Sequence, residues 1–167
     1  MRRHWHCHAV GTGAAMRVRV ATREDSAGIY RLLCDFATSY QPERAVFDHR
    51  TFPRALEAAA DGRAEFLVAE LNGTMVGYIL AARQPTRFAG GTVLDILELT
   101  VDASYRGQGT GSLLVQAVIA RAEQADDVEV TVPTRRAAGF YSRLGFTETA
   151  TYLKHARGRG AASTVAS

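Results

Sequence analysis

The pattern of apolar and polar residues divides the chain into strand-like and helix-like segments. Residues 17–22 alternate in the manner of a strand, and Thr22 and Asp25 have the spacing of a capping box, which begins a helix. The helix is predicted to run to about Thr38. Its apolar side chains recur at the spacing of one helical face and are Ile29, Leu32, Leu33 and Phe36.

A second helix and a strand hairpin are predicted next. Residues 39–50 are polar and aromatic without a period, which indicates a loop, and residues 52–60 are predicted as a helix that Asp61-Gly62 ends. Two strand-like runs then follow, residues 65–71 and 75–82. They are joined by Asn72-Gly73-Thr74, and an Asn-Gly pair between such runs is typical of a tight hairpin, so the strands are expected to be antiparallel neighbours.

The second half of the chain predicts a pair of parallel strands. After a loop at 84–91, residues 92–101 form an apolar run without clean alternation, which is typical of a strand covered on both faces. A helix to about Ala125 and a strand over 128–132 follow, and this order implies a right-handed crossover between parallel strands. The inner face of the helix is expected to carry Leu113, Leu114, Ala117 and Val118.

A short helix and a last strand complete the predicted elements. The helix starts at Pro133 and Thr134 and ends at Gly145, and residues 147–154 alternate as a strand. The inner face of this helix is expected to carry Ala137, Phe140, Tyr141 and Leu144.

Length and composition fit one globular unit. The chain has 167 residues, of which 47% are hydrophobic and 22% are charged, enough to bury a single core. We expect three parts: a disordered or irregular extension over 1–15, a single domain over 16–155 and a disordered tail over 156–167.

Charge and cysteine content restrict the partners and the location. The net charge is +3 and the basic residues are scattered, so nucleic-acid binding is not expected. No run approaches the ~18 apolar residues of a spanning helix, so no membrane partner is expected. Cys7 and Cys34 are too few for a disulfide framework, which favours a cytoplasmic location. The His- and Cys-rich residues 4–8 match no zinc spacing, so no metal is expected, and the sequence leaves a homodimer open.

The stretch from Arg106 to Ser112, of sequence RGQGTGS, lies between the apolar strand and the following helix. Glycines let the backbone approach a ligand closely, and the first amides of a helix have no intrahelical partner, so the stretch predicts a phosphate site. A P-loop has Lys after its last glycine, where this chain has Ser112. A dinucleotide fingerprint has two residues between its second and third glycines, where this chain has only Thr110. A purely structural tight turn is the alternative.

The order of elements and two motifs resemble the GCN5-related N-acetyltransferases. Arg106, Gly109 and Gly111 match the family's pattern of Gln or Arg, two residues, Gly, one residue, then Gly or Ala, and residues 140–146 look like its second signature. The resemblance covers about residues 16–154. It implies an α/β fold, or α+β in some schemes: a mixed, mostly antiparallel central sheet with helices on both faces and a splayed parallel pair at its centre.

The resemblance also implies an activity. The chain is expected to transfer the acetyl group of acetyl-CoA directly to an amine of a small molecule, peptide or protein. The implied cofactor contacts are Leu99, Thr100, Val101, Arg106, Gly107, Gln108, Gly109, Thr110, Gly111, Ser112 and Thr134. At the last of these positions the family often has an Asn that touches the pantetheine arm, and a threonine lacks the paired groups of an amide. The change motivates an alternative, an acyl-CoA-binding regulatory module with little or no turnover.

The same resemblance points to catalytic residues. An amine with a pKa near ~10.4 is almost fully protonated at neutral pH, so the reaction needs a base. Glu98 lies where many family members have an acid, Glu129 resembles the base of the ribosomal-protein alanine acetyltransferases, and Asp95 matches the glutamate of histone-acetylating members. Glu98 is preferred and the other two stay open, with solvated carboxylates as the alternative. Tyr141 is expected to protonate or hydrogen-bond the departing thiolate, and otherwise to be a core tyrosine.

Overall fold

The computed structural model describes residues 16–36 and 42–149. Their sheet has five strands in the order β1-β2-β3-β4-β5. Neighbours from β1 to β4 are antiparallel, and β5 is parallel to β4, which confirms the predicted mixed sheet. The strands are β1 Met16–Val20, β2 Ala64–Leu71, β3 Thr74–Thr86, β4 Gly91–Val101 and β5 Glu129–Thr131.

Helices cover both faces of this sheet. The helices are α1 Ser26–Phe36, α2 Arg44–Val46, α3 Phe52–Ala60, α4 Thr110–Gln124 and α5 Ala138–Ser142. Tyr78 of β3 belongs to a buried cluster with side chains of α1 and α3, whereas a Cβ placed on its neighbour Gly77 would lie 3.3 Å from Leu114 of α4. Because successive strand residues point to opposite faces, α4 lies on the face opposite α1 and α3.

The two hairpins differ from each other in how well the sequence predicts them. Asn72 and Gly73 have φ values of 52° and 79°, as a tight hairpin turn requires, so the first hairpin is confirmed. The second is longer than expected, because β3 and β4 pair as far as Thr86 and Gly91. The predicted loop over 84–91 is therefore wrong except at its centre.

The loop expected over 39–50 is wrong for residues 44–50, which are helical. Residues 44–60 are continuously helical, with a π-helical segment Phe47–Thr51 between α2 and α3. The ring of Phe47 is buried, 5.1 Å from the ring of Tyr30 and 5.2 Å from that of Phe52. A single buried aromatic in a polar stretch gives no periodic signal. Residues 37–41, including the expected end of the first helix, lie outside the described residues.

The inner face of α4 is rotated from the expected one. Leu114 and Val118 are buried as predicted, but Leu113 and Ala117 are only half-buried. The buried residues follow an i, i+4 row that starts at the first helical residue, with Val115 beside it: Thr110, Leu114, Val118 and Ala122.

The chain divides into two compact units, one up to Val132 and one from Pro133. In the second unit α5 begins at Ala138 and not at Pro133 or Thr134, because the Thr134 hydroxyl accepts the Ala137 N–H at 3.1 Å and forms a turn. Residues 147–149 are not in a strand. The rest of that predicted strand, the extension over 1–15 and the tail over 156–167 lie outside the described residues.

The predicted capping box is present and is part of a buried ionic cluster. The Thr22 N–H donates to the Asp25 carboxylate at 2.7 Å, and the Arg19 guanidinium binds both oxygens of Asp25 at 2.7 Å and also Glu70. Burial on its own would raise the pKa of Asp25, but these donors hold it below its usual value. The cluster fixes the end of β1 to the start of the first helical segment.

Asp25→Ala should destabilise the fold by about 3 kcal/mol, because it leaves the partly buried Arg19 without its bidentate partner. Urea unfolding followed by circular dichroism measures this. Asp61→Ala is the matched control, since the Asp61–Arg63 pair is exposed and should contribute below about 0.5 kcal/mol. Equal losses in the two variants would contradict the role given to the buried cluster.

Candidate active site

The parallel pair β4–β5 separates halfway along β4. β5 pairs only with Val93, Leu94 and Asp95, while β4 continues to Val101. In the described part of the chain, residues 96–101 have no strand partner on this side. The separation leaves an open strand edge inside the sheet layer, which is the splay that the resemblance implied.

A β-bulge at Leu97 lies just beyond the point of separation. Ala81 pairs with Ile96 and Leu80 with Glu98, so Leu97 has no partner in β3. A bulge bends its strand and changes the direction of the side chains around it. Together with cover on both faces, it explains why this strand lacks clean alternation in the sequence.

The backbone of the β4 end points alternately to β3 and to the open edge. The Asp102 N–H donates to the Val76 carbonyl at 2.8 Å, and the Thr100 carbonyl oxygen faces Gly77. Because strand backbone groups alternate in direction, those of Leu99 and Val101 face the open edge. Thr100, which was expected to share the cofactor contact, directs its backbone groups to β3 instead.

The glycine stretch forms a loop that ends at the first turn of α4. Gly107 and Gly109 have φ values of 74° and 86°, a conformation that favours glycine, and Gly109 caps the helix. The amides of residues 107–112 donate to no described residue. The loop therefore presents a group of N–H donors at the positive end of the α4 dipole.

Side chains hold this loop in place. The Arg106 Nε donates to the Val101 carbonyl at 3.0 Å, so this arginine braces the loop against the end of β4. The Gln108 amide donates to the Ser104 carbonyl at 3.1 Å. Asp102 accepts the Ser104 N–H and forms a 2.7 Å ion pair with Arg31 of α1, which the sequence did not suggest.

The three candidate bases differ in their surroundings. Glu98 is half-buried, and its Oε2 accepts a hydrogen bond of 3.0 Å from the Tyr78 hydroxyl. Burial raises the pKa of Glu98, and the hydrogen bond from Tyr78 opposes this rise. The Asp95 carboxylate accepts the Thr131 hydroxyl at 2.8 Å, and Glu129 is exposed. Glu98 lies beyond the last residue of β4 that pairs with β5.

Tyr141 and Thr134 belong to the second compact unit. Tyr141 is 6% exposed, with its ring 4.9 Å from that of Phe140 and 5.4 Å from that of Phe146. Burial raises the pKa of Tyr141, so its phenol is neutral at pH 7 and can donate a hydrogen bond. Thr134 is exposed apart from the turn that its hydroxyl forms.

The described residues carry neither a metal-binding cluster nor a membrane-spanning helix. No three His, Cys, Asp or Glu side chains within residues 16–36 and 42–149 are grouped so that they could hold a metal ion. None of the described helices is both long and apolar enough to cross a membrane.

Comparison with known proteins identifies the family. The model of the acetyltransferase (GNAT) family matches residues 27–146. The chain belongs to this family. The resemblance inferred from the glycine stretch and the second signature is thereby confirmed.

Individual proteins that this GNAT chain resembles have low sequence identity to it. An uncharacterized N-acetyltransferase of Methanocaldococcus jannaschii is 33% identical over 88 residues, which are 50% of this chain and 39% of that relative's length. The chain therefore spans about two fifths of the curated relative it matches. A glucosamine-6-phosphate N-acetyltransferase from Arabidopsis thaliana is 16% identical, with a TM-score of 0.73 over 85% of this chain and 98% of that one. An acetyltransferase from Trypanosoma brucei is 20% identical, with a TM-score of 0.70 over 85% and 99%.

Two residues near the GNAT site have no signal in the sequence. Tyr78 lies within an apolar strand and reads as a core aromatic, and Arg31 lies on the polar side of an amphipathic helix. Each is recognised only through a contact in the folded chain. Tyr78 contacts Glu98 on the neighbouring strand, and Arg31 of α1 contacts Asp102 at the start of the loop.

Proposed function

We propose that this GNAT chain is an enzyme that transfers the acetyl group of acetyl-CoA directly to an amine of a small molecule, peptide or protein. The observation that carries the proposal is the unpaired edge of β4 over 96–101, which leads from Glu98 to a loop of unpaired amides. An extended chain with amide groups and a pyrophosphate, such as coenzyme A, matches these two features in the order in which they occur.

The cofactor contacts follow from the directions of the backbone groups. The amides of the pantetheine arm pair with the backbone of Leu99 and with the N–H of Val101, whose carbonyl already accepts the Arg106 guanidinium. The pyrophosphate accepts hydrogen bonds from the amides of residues 107–112, and Arg106 braces this loop and adds positive charge. Thr134 keeps a hydroxyl proton with which it can contact the pantetheine arm in place of the family's Asn.

The chemistry needs one base and one acid. The amine nitrogen, once deprotonated, attacks the thioester carbonyl carbon, the C–S bond breaks, and coenzyme A leaves as a thiolate. The nitrogen then loses its second proton to give the amide, and the thiolate takes up this proton to become the thiol. Glu98 takes the proton from the amine, directly or through a water molecule. Tyr141 gives a hydrogen bond to the thiolate as its charge develops and keeps its own proton, since transfer from a phenol of pKa ~10 to a thiolate whose thiol has a pKa of ~8.5 is uphill by about 2 kcal/mol.

The choice of Glu98 rests on its environment. A carboxylate whose pKa is raised by burial is a stronger base than a solvated one, and the hydrogen bond from Tyr78 favours its ionised form. Glu129 and Asp95 are kept as weaker candidates, because the first is exposed and the second is bonded to Thr131.

A binding module without turnover is the less favoured function. Burying a carboxylate costs free energy, and a protein that only binds acyl-CoA has no use for such a group at the edge of β4. The relatives described above also carry the names of acetyltransferases.

Glu98→Gln should lower kcat by about 10²–10⁴-fold while leaving acetyl-CoA binding intact, because the amide cannot accept the proton. Release of coenzyme A across a panel of amines and peptides measures turnover and identifies the acceptor. In the unaltered enzyme kcat/KM should fall as the pH drops through the raised pKa of Glu98. Glu129→Gln is the control and should retain most of the activity.

The two variants separate the candidate bases. Loss of turnover in Glu129→Gln with full activity in Glu98→Gln would reassign the base. Thermal stabilisation by acetyl-CoA without coenzyme A release from any amine would favour the binding module.

Gly109→Ala should weaken acetyl-CoA binding at least ~10-fold, because φ at this position is 86° and an alanine displaces the loop amides. Gly90→Ala is a matched control, since Gly90 also has a positive φ, of 74°, and a Cβ there would also meet no atom within 4 Å. Titration calorimetry with acetyl-CoA checks both variants. Equal weakening in the two would mean that general destabilisation, and not the loop, is responsible.

A further inference from the structure

We propose that Tyr78 is a positioning residue for acetyl transfer, whose hydroxyl orients the Glu98 carboxylate at the open edge of β4. The inference rests on the proposed function, because it takes Glu98 as the base. In this role Tyr78, which is fully buried, contacts neither cofactor nor acceptor.

The contact between Tyr78 and Glu98 joins the two neighbouring strands β3 and β4. Tyr78 pairs with Thr100 and Leu80 pairs with Glu98, so Tyr78 and Glu98 are diagonal neighbours on β3 and β4. The tyrosine hydroxyl donates to Glu98 Oε2 at 3.0 Å. The bulge at Leu97 lies next to Glu98 and sets the direction in which its side chain leaves the strand.

The ring of Tyr78 is held rigidly. The residue is 0% exposed, and its ring lies edge-on to that of Phe66 with the centroids 6.1 Å apart. It is part of the buried cluster that α1 and α3 form with β2 and β3. A ring fixed in this way fixes its hydroxyl, and therefore one oxygen of the carboxylate that receives the hydrogen bond.

The hydrogen bond places the two carboxylate oxygens of Glu98 in different environments. Oε2 is occupied by Tyr78, whereas Oε1 receives no hydrogen bond from a described residue. A base needs one oxygen to be held and the other to be available for the proton of the amine. If Glu98 were present only to satisfy a buried phenol, a neutral acceptor would serve at a lower desolvation cost.

The protonation of the pair agrees with this arrangement. Burial and the adjacent carboxylate both raise the pKa of Tyr78, so the phenol stays a donor throughout the working pH range. Burial raises the pKa of Glu98, and the hydrogen bond from Tyr78 lowers it. The tyrosine thus offsets part of the burial effect and extends the pH range in which the base is ionised.

The remaining titratable groups on the elements packed against β4 do not bond to Glu98. Cys34 of α1 contributes to the raised pKa of Tyr78. The charged side chains of α1, α4 and the neighbouring strands that could act at a distance are paired elsewhere or exposed: Arg31 with Asp102, Arg121 and Arg83 with Glu65, Glu70 with Arg17 and Arg19, Asp95 with Thr131, and Asp35, Glu123 and Glu129 exposed.

The test compares Tyr78→Phe with the unaltered enzyme in the pH dependence of kcat/KM. Loss of the hydrogen bond should move the acidic limb upward by about one pH unit and lower kcat several-fold, with the KM for acetyl-CoA unchanged. Tyr30→Phe is the matched control, because it removes a hydroxyl that donates to the Pro42 carbonyl at 2.9 Å, away from Glu98. The control should leave the acidic limb in place.

A second readout does not depend on turnover. The infrared carboxyl band of Glu98 is isolated by subtracting the spectrum of Glu98→Gln. It is titrated with pH in the unaltered enzyme and in Tyr78→Phe. The pKa of Glu98 should shift upward in Tyr78→Phe by the same amount as the acidic limb. A Glu98 titration that Tyr78→Phe leaves unmoved would overturn the role of Tyr78 alone. An acidic limb that persists in Glu98→Gln would remove Glu98 as the base, and the role of Tyr78 in transfer with it.

Discussion

The pairing of β4 with β5 stops at Asp95, and the site depends on this one interruption. Backbone N–H and C=O groups that lose a strand partner must find water or a ligand, because leaving them unpaired costs free energy. The open edge is therefore a preformed acceptor for an extended chain with its own amide groups. Coenzyme A carries such groups in its pantetheine arm, and membership of the GNAT family agrees with that ligand.

The surrounding elements maintain the open edge in a fixed shape. β3 pairs with the other side of β4 as far as Val101, so the strand is held along one edge while the second is free. Arg106 ties the glycine loop to the Val101 carbonyl, and Arg31 of α1 binds Asp102 at the start of the same loop. The bulge at Leu97 and the buried Tyr78 then determine where the Glu98 carboxylate lies. In the proposed mechanism, binding of the donor and activation of the acceptor share one strand.

Local sequence signals predicted those parts of the molecule that local physics determines. Asn72-Gly73 specified a hairpin, Thr22 and Asp25 a capping box, and the glycines from Gly107 a loop at a helix start, because each depends on residues a few positions apart. The helical stretch over 44–50 was missed, since it depends on Phe47 packing between two distant rings. The end of the β4–β5 pairing and the bond between Tyr78 and Glu98 are contacts between strands, for which one sequence carries no local pattern.

Hydrogen exchange of the backbone amides, measured with and without acetyl-CoA, tests most directly whether the open edge and the glycine loop hold the cofactor. Acetyl-CoA should slow exchange at Leu99, at Val101 and across residues 107–112, and should leave the tip of the β3–β4 hairpin over 87–90 unchanged. Slowing that is absent from β4 and the loop, or that appears only elsewhere in the chain, would contradict this placement of the cofactor.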